Sequence, residues 1–177
     1  MQRRAFLKGA GAGLGLAAGA LAPKAFAAGP TIKWHLASSF PKSLDTIYGA
    51  ADLVADRLHK ITEGKFQIRV HAGGELVPGL QVLDAVQQGT VECGHSASYY
   101  YVGKNMAFAF DCALPFGLTA RQQNAWMTFG GGTALLRDLF RKYNIVQFPA
   151  GNTGTQMGGW FRREIKSLAD LRGLKMR

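Results

Sequence analysis

Hydrophobic positions recur along this chain with two periods. Residues 31–37 alternate: Ile32, Trp34 and Leu36 fall on one side, Lys33 and His35 on the other, the period-2 pattern of a strand. Leu44, Ile47, Tyr48, Ala51, Val54, Ala55, Leu58 and Ile61 then recur at three- and four-residue steps. They predict an amphipathic helix that begins near Ser43 and is stopped by Gly64. Alternation returns at Phe66, Ile68 and Val70. After Gly73-Gly74, Pro78 stands where a first helical turn tolerates proline, and Leu80, Leu83 and Val86 carry a helix to Gly89. Residues 90–98 read as a third strand. The order strand, helix, strand, helix, strand predicts an α/β fold with a parallel sheet and crossover helices.

The pattern changes beyond residue 105. Residues 106–116 form an apolar run ending at Pro115, and both cysteines, Cys93 and Cys112, fall in strand-like apolar runs. Thr119 and Gln122 have the spacing of a capping box and predict a helix through Trp126, broken by Gly130-Gly131-Gly132. Leu135, Leu136, Leu139, Phe140 and Tyr143 mark another helix, residues 145–148 a short strand, and residues 152–155 a loop. Residues 158–161 read as extended, Ser167 and Asp170 can cap one helical turn, and residues 174–177 read as a strand that has only begun. A last strand needs a neighbour or a covered edge, so the sequence reads as a fragment of a longer protein.

The first 27 residues carry a different signal. Arg3-Arg4 precede an uncharged stretch of Gly, Ala and Leu over residues 9–22, and Ala25-Phe26-Ala27 has the small-x-small form of a cleavage site. This order predicts a twin-arginine export signal and a periplasmic mature protein. The apolar stretch is shorter than the roughly 18 residues of a spanning helix. Removal of residues 1–27 leaves 150 residues, a length that suits one ordinary core. It takes four of the 21 basic residues and none of the 11 acidic ones, so the formal charge falls from +10 to +6. The basic residues are scattered singly, with Arg162-Arg163 the only adjacent arginines after the signal, which argues against a nucleic-acid binder. An oxidising compartment permits a Cys93–Cys112 disulfide; two buried free thiols are the alternative. His35, His59, His71 and His95 show no metal-ligand spacing.

Three patches carry candidate chemistry. Tyr99, Tyr100 and Tyr101 follow a predicted parallel strand, where α/β sheets bind ligands and tyrosine hydroxyls can donate to an anion. Asn152 and Gln156, in a polar loop, offer amide donors and acceptors. Arg177 presents a planar fork that matches a carboxylate. No nucleophile–base pair or metal triad is legible, so a periplasmic enzyme acting on a small carboxylic acid is the alternative function rather than the first.

These patches stand among further motifs: Gly73-Gly74-Glu75-Leu76-Val77-Pro78, Val86-Gln87-Gln88-Gly89-Thr90-Val91-Glu92, Ser98-Tyr99-Tyr100-Tyr101-Val102-Gly103-Lys104, Ala113-Leu114-Pro115-Phe116-Gly117-Leu118, Gln156-Met157-Gly158-Gly159-Trp160-Phe161-Arg162-Arg163-Glu164-Ile165, and Leu168-Ala169-Asp170-Leu171-Arg172-Gly173-Leu174-Lys175-Met176-Arg177. In this order, over residues 31–177, the chain resembles the DctP family, the periplasmic solute receptors of tripartite ATP-independent (TRAP) transporters, and most of all its members that bind 2-oxoacids such as pyruvate. The resemblance implies a type II periplasmic-binding-protein-like bilobal fold, truncated here: residues 28–125 as the first part of lobe 1 and residues 126–177 as the first part of lobe 2. It implies that Arg177 binds the substrate carboxylate, that Tyr100 contacts the ligand with Tyr99 and Tyr101 beside it, and that Asn152 and Gln156 face it from the second lobe. It further implies that Gln156 helps hold a cation, sodium or calcium, bridging ligand and protein, with no covalent cofactor. The partners implied are a small carboxylate, the membrane subunits of a TRAP permease, the twin-arginine export machinery and a second copy in a homodimer. The family's Trp-Glu pair among the cation ligands has no counterpart in this sequence.

Overall fold

The computed structural model describes residues 31–154 and 156–175. The expected export signal, residues 1–27, lies outside the described residues, as do Met176 and Arg177. The order of elements is β1 (Ile32–Ser38), α1 (Asp45–Ile61), β2 (Phe66–His71), α2 (Val82–Gln87), β3 (Cys93–His95), α3 (Ala120–Phe129) and α4 (Gly132–Arg141). The three strands form one sheet in the order β2-β1-β3. Both pairings are parallel, with Ala37 opposite His71 and Ser38 opposite His95, so all three strands end at the same edge. This is the parallel α/β arrangement that the alternating periods predict.

Each element follows from its local sequence. α1 buries Tyr48 and Ala51 and packs along β2. It ends where Gly64, at φ +78°, returns its N–H to the His59 carbonyl at 2.8 Å. α2 lies on the sheet face that carries Ala37 and Gly94. Ala37, Val82, Ala85 and Val91 form one apolar cluster there. A Cβ on Gly94 would stand 2.6 Å from Val82 Cγ1, so this close approach requires glycine. The capping box opening α3 is formed: the Gln122 N–H donates to Thr119 Oγ1 at 3.4 Å, and the Thr119 N–H to Gln122 Oε1 at 2.9 Å. The Ser167–Asp170 box is formed too and opens a 3-10 turn, Leu168–Leu171.

A second apolar cluster joins Leu83, Tyr101, Phe108, Met127, Leu136 and Phe140. Phe108 is wholly buried and meets Phe140 and Tyr143 ring to ring, with centroids 5.1 Å away in each case. α3 and α4 therefore share a core with the Tyr101 turn, and the boundary expected at 125/126 runs through it.

Several expectations need correction. The third strand is shorter than residues 90–98: only Cys93–His95 pair with β1. Ser98–Tyr101 winds instead into a 3-10 turn. The apolar run after residue 105 is also 3-10, Met106–Asp111, with Asn105 Oδ1 accepting from the Ala107 N–H. Residues 145–148 are not a strand; Arg137 crosses them instead, its Nε donating to the Gln147 carbonyl at 3.3 Å and its guanidinium lying 4.8 Å from the centre of the Phe148 ring. Cys93 and Cys112 are both free. Neither is fully buried; burial pushes the Cys93 thiol up to about 11, with Glu92 adding to it, and burial raises Cys112 as well, which favours the thiol over the thiolate.

Candidate functional site

The carboxyl end of the sheet gathers three loops: residues 39–40 after β1, residues 72–79 after β2 and residues 96–101 after β3. Ser39 is their meeting point. Its N–H donates to the His95 carbonyl at 2.8 Å, and the Gly73 N–H donates to the Phe40 carbonyl at 3.0 Å. A Cβ at Gly73 or Gly79 would come within 2.8 and 2.9 Å of the Ser39 carbonyl oxygen, which explains why glycines flank Val77-Pro78. Phe40 stacks edge-on against His95, centroids 5.1 Å apart, and lies 6.3 Å from the Tyr100 ring.

Above this platform stand the tyrosines. A 3-10 turn places successive side chains about 120° apart. Tyr99 therefore lies at the surface, only 38% exposed, Tyr100 lies half-buried beside Phe40, and Tyr101 is buried against Phe108. The Tyr99 and Tyr100 rings meet edge to face at 4.7 Å. Burial, together with the Tyr100 hydroxyl beside it, pushes Tyr99 up to about 12, so it remains a neutral donor at physiological pH. Tyr101 is placed differently from its neighbours: its hydroxyl accepts from the Leu83 N–H at 3.2 Å and meets Ser96 Oγ at 2.8 Å inside the protein.

The other candidates lie apart from this turn. Asn152 and Gln156 are exposed. The Asn152 Oδ1 accepts from the Gly154 N–H at 2.7 Å, and the Gln156 amide donates to Thr153 Oγ1 at 3.0 Å. Among the described residues no hydrogen bond joins this loop to the tyrosine turn, and no three His, Cys, Asp or Glu side chains gather as a metal site. Arg177 lies outside the described residues. A shallow groove of about 320 Å³ between α1 and the start of β2 faces away from these groups; Ala55, His59 and Ile68 line it. Sequence reasoning passed over Ser39 and, although Ser96 stands at the head of the tyrosine patch, gave Ser96 and His95 no role, because their convergence needs the sheet register. The only signal was position: Ser39 just past the first predicted strand, His95 and Ser96 near the end of the third.

The architecture is that of an α/β protein with a parallel sheet, at whose carboxyl end, where such sheets bind ligands, the Tyr99 and Tyr100 rings meet above an aromatic platform. Residues 37–177 match the family model described as DctP, bacterial extracellular solute-binding protein, family 7. The chain is 57% identical over 148 residues to the monocarboxylate 2-oxoacid-binding periplasmic protein of Nostoc sp. PCC 7120, a match that covers 84% of this chain and 40% of that protein. It is also similar to a TRAP transporter solute-binding protein of Bordetella bronchiseptica, crystallised as a mixed-occupancy dimer with copurified calcium and picolinate in the bound site. That similarity is 58% in sequence with a TM-score of 0.77, over 80% of this chain and 42% of that one. A TRAP periplasmic solute-binding protein of Pseudoalteromonas atlantica with bound sodium and pyruvate is 40% identical, with a TM-score of 0.77, over 83% of this chain and 45% of that one. The chain thus spans less than half the length of each of these relatives. It belongs to the DctP family of bacterial extracellular solute-binding proteins. These relatives are transport receptors, so the enzyme alternative is set aside.

Proposed function

We propose that this chain forms the first part of a TRAP solute receptor that captures a small monocarboxylate, a 2-oxoacid such as pyruvate, and hands it to the permease subunits in the membrane. The observation that carries this reading is the Tyr99–Tyr100 pair, whose rings meet at the carboxyl end of a parallel sheet in a chain 57% identical to a 2-oxoacid-binding protein. Neutral hydroxyls suit an acid that arrives already ionised. Arg177 supplies the opposing charge, and its two parallel bonds to a carboxylate contribute about 1.5–3 kcal/mol each. Micromolar capture requires roughly 8 kcal/mol, so tyrosine, amide and cation contacts make up the rest after the cost of ordering.

In this reading the first lobe runs from residue 28 through α4, because α3 and α4 share the Phe108 core, and the 152–156 loop opens the facing lobe. Asn152 and Gln156 there meet the ligand. Gln156 also contributes to a cation site, for which the calcium and sodium of the Bordetella and Pseudoalteromonas proteins give the two candidates. Residues 1–27 direct twin-arginine export, the receptor works in the periplasm, and two copies pair as the Bordetella protein does.

The test is calorimetric titration of pyruvate into the chain extended by the remaining length of its Nostoc relative. Arg177→Ala should abolish binding and Arg177→Lys should weaken it severely, since lysine offers a point charge in place of a fork. Full affinity in Arg177→Ala overturns the assignment.

A further inference from the structure

Five polar groups, four from three loops and one from the start of α2, join end to end at the carboxyl edge of the sheet. Ser39 Oγ lies 2.6 Å from the Gly79 carbonyl and 2.7 Å from Ser96 Oγ, Ser96 Oγ lies 2.8 Å from the Tyr101 hydroxyl, and that hydroxyl accepts from the Leu83 N–H at 3.2 Å. The proton positions follow from counting donors. A carbonyl only accepts, so the single proton of Ser39 goes to Gly79. Ser96 must then donate to Ser39, which leaves Tyr101 to donate to Ser96. The chain runs one way: Leu83 N–H to Tyr101, Tyr101 to Ser96, Ser96 to Ser39, Ser39 to Gly79. Every member is satisfied, and removal of one hydroxyl leaves an interior partner without its bond.

We propose that Tyr101 is a positioning residue whose hydroxyl, acting through Ser96 and Ser39, fixes the Tyr100 ring on the ligand face of the sheet. Tyr101 anchors the inner side of the 3-10 turn whose other sides present Tyr99 and Tyr100. The opposite anchor of that turn is the Ser98 hydroxyl, which donates to the Phe108 carbonyl at 2.9 Å. With Ser98 held, the orientation of the turn is set by where the Tyr101 hydroxyl docks. Ser39 decides this docking from 62 residues away in sequence, because it ties the loop after β1 to those after β2 and β3. The importance of Tyr100 to ligand capture rests on the function proposed above; its placement by Tyr101 does not.

The test places 3-fluorotyrosine at position 100 of this chain and reads its fluorine resonance, with amide exchange at Leu83 as a second measurement. Tyr101→Phe should shift and broaden the resonance and speed Leu83 exchange about five-fold, the loss of one hydrogen bond. Ser39→Ala should displace the resonance likewise, although Ser39 does not touch Tyr101. The double variant should be displaced no further than the larger single change, the mark of a shared chain rather than two local defects. Ser96→Ala breaks the same chain from its middle without touching the ring, and it serves if Tyr101→Phe does not fold. An unmoved resonance in Tyr101→Phe or Ser96→Ala, or additive displacement in the double variant, overturns the proposal. Failure of Tyr100→Phe to weaken pyruvate binding in the extended chain would instead count against the role of Tyr100 in capture.

Discussion

His71 and His95 end the two outer strands of the sheet, on either side of β1, and are nearly buried. Burial holds His71 below the usual histidine range, and Arg69 and His35 lower it further, while Glu75, 3.7 Å from its Nδ1, opposes them. Lys42 also lowers it slightly, although that lysine is paired with Glu75 at 2.8 Å. The His71 Nε2 lies 2.9 Å from His35 Nδ1, a contact that one proton satisfies and two would break. Burial alone lowers His95. Both folded-state values lie below the ordinary histidine pKa of about 6.5, so the unfolded chain binds more protons in that window. The stabilising difference is whole above about pH 6.5 and declines as pH falls below it. The melting temperature should therefore drop between pH 7 and pH 5. His71→Asn and His95→Asn should each flatten that slope, and thermal melts across the range read it directly.

The elements show what a one-dimensional pattern can and cannot carry. Gly94→Ala should destabilise by about 1–3 kcal/mol, because the added methyl collides with Val82 and Val86 and α2 must lift from the sheet. Thr119→Ala removes the cap of α3 and should cost about 1 kcal/mol in urea melts. Both capping boxes were legible because each lies within four residues. α1 was legible because its apolar face has a strong helical period, even though Val54 and Ile61 on that face remain exposed. The end of β3 was not legible. Thr90 to Ser98 has strand composition throughout, but ladder partners exist only for Cys93–His95, and the Tyr101–Ser96 and Ser98–Phe108 bonds wind the next residues into a 3-10 turn. The same reason removes the strand at 145–148: its composition is strand-like, yet no described strand stands beside it. Of the candidate site, residue types and the strand-end location of the tyrosines could be read in advance. The separate placement of Tyr101 from Tyr99 and Tyr100 could not, since it depends on a three-residue turn.

At the scale of the molecule, the described residues leave many large apolar side chains in water. Phe116, Phe129, Trp160 and Leu168 are each more than four-fifths exposed. Addition of the remaining length of the Nostoc relative should cover much of this surface, which hydrophobic-dye fluorescence on the 177-residue and extended chains would register as a fall. Equal dye signal in both would mean that these faces serve something else. The sheet poses the same question in its backbone. Only β1 has a strand on both sides; β3, like β2, offers its outer rim to no described strand. Protein synthesis runs from the amino terminus, so a ribosome delivers this rim before the residues that follow Arg177 in longer relatives. For the duration of that delay, amides along Cys93–His95 can template any extended peptide within reach. In those longer relatives, a mutation that slowed translation of the later residues would lengthen the exposure of the matching rim without altering a single contact in the finished protein.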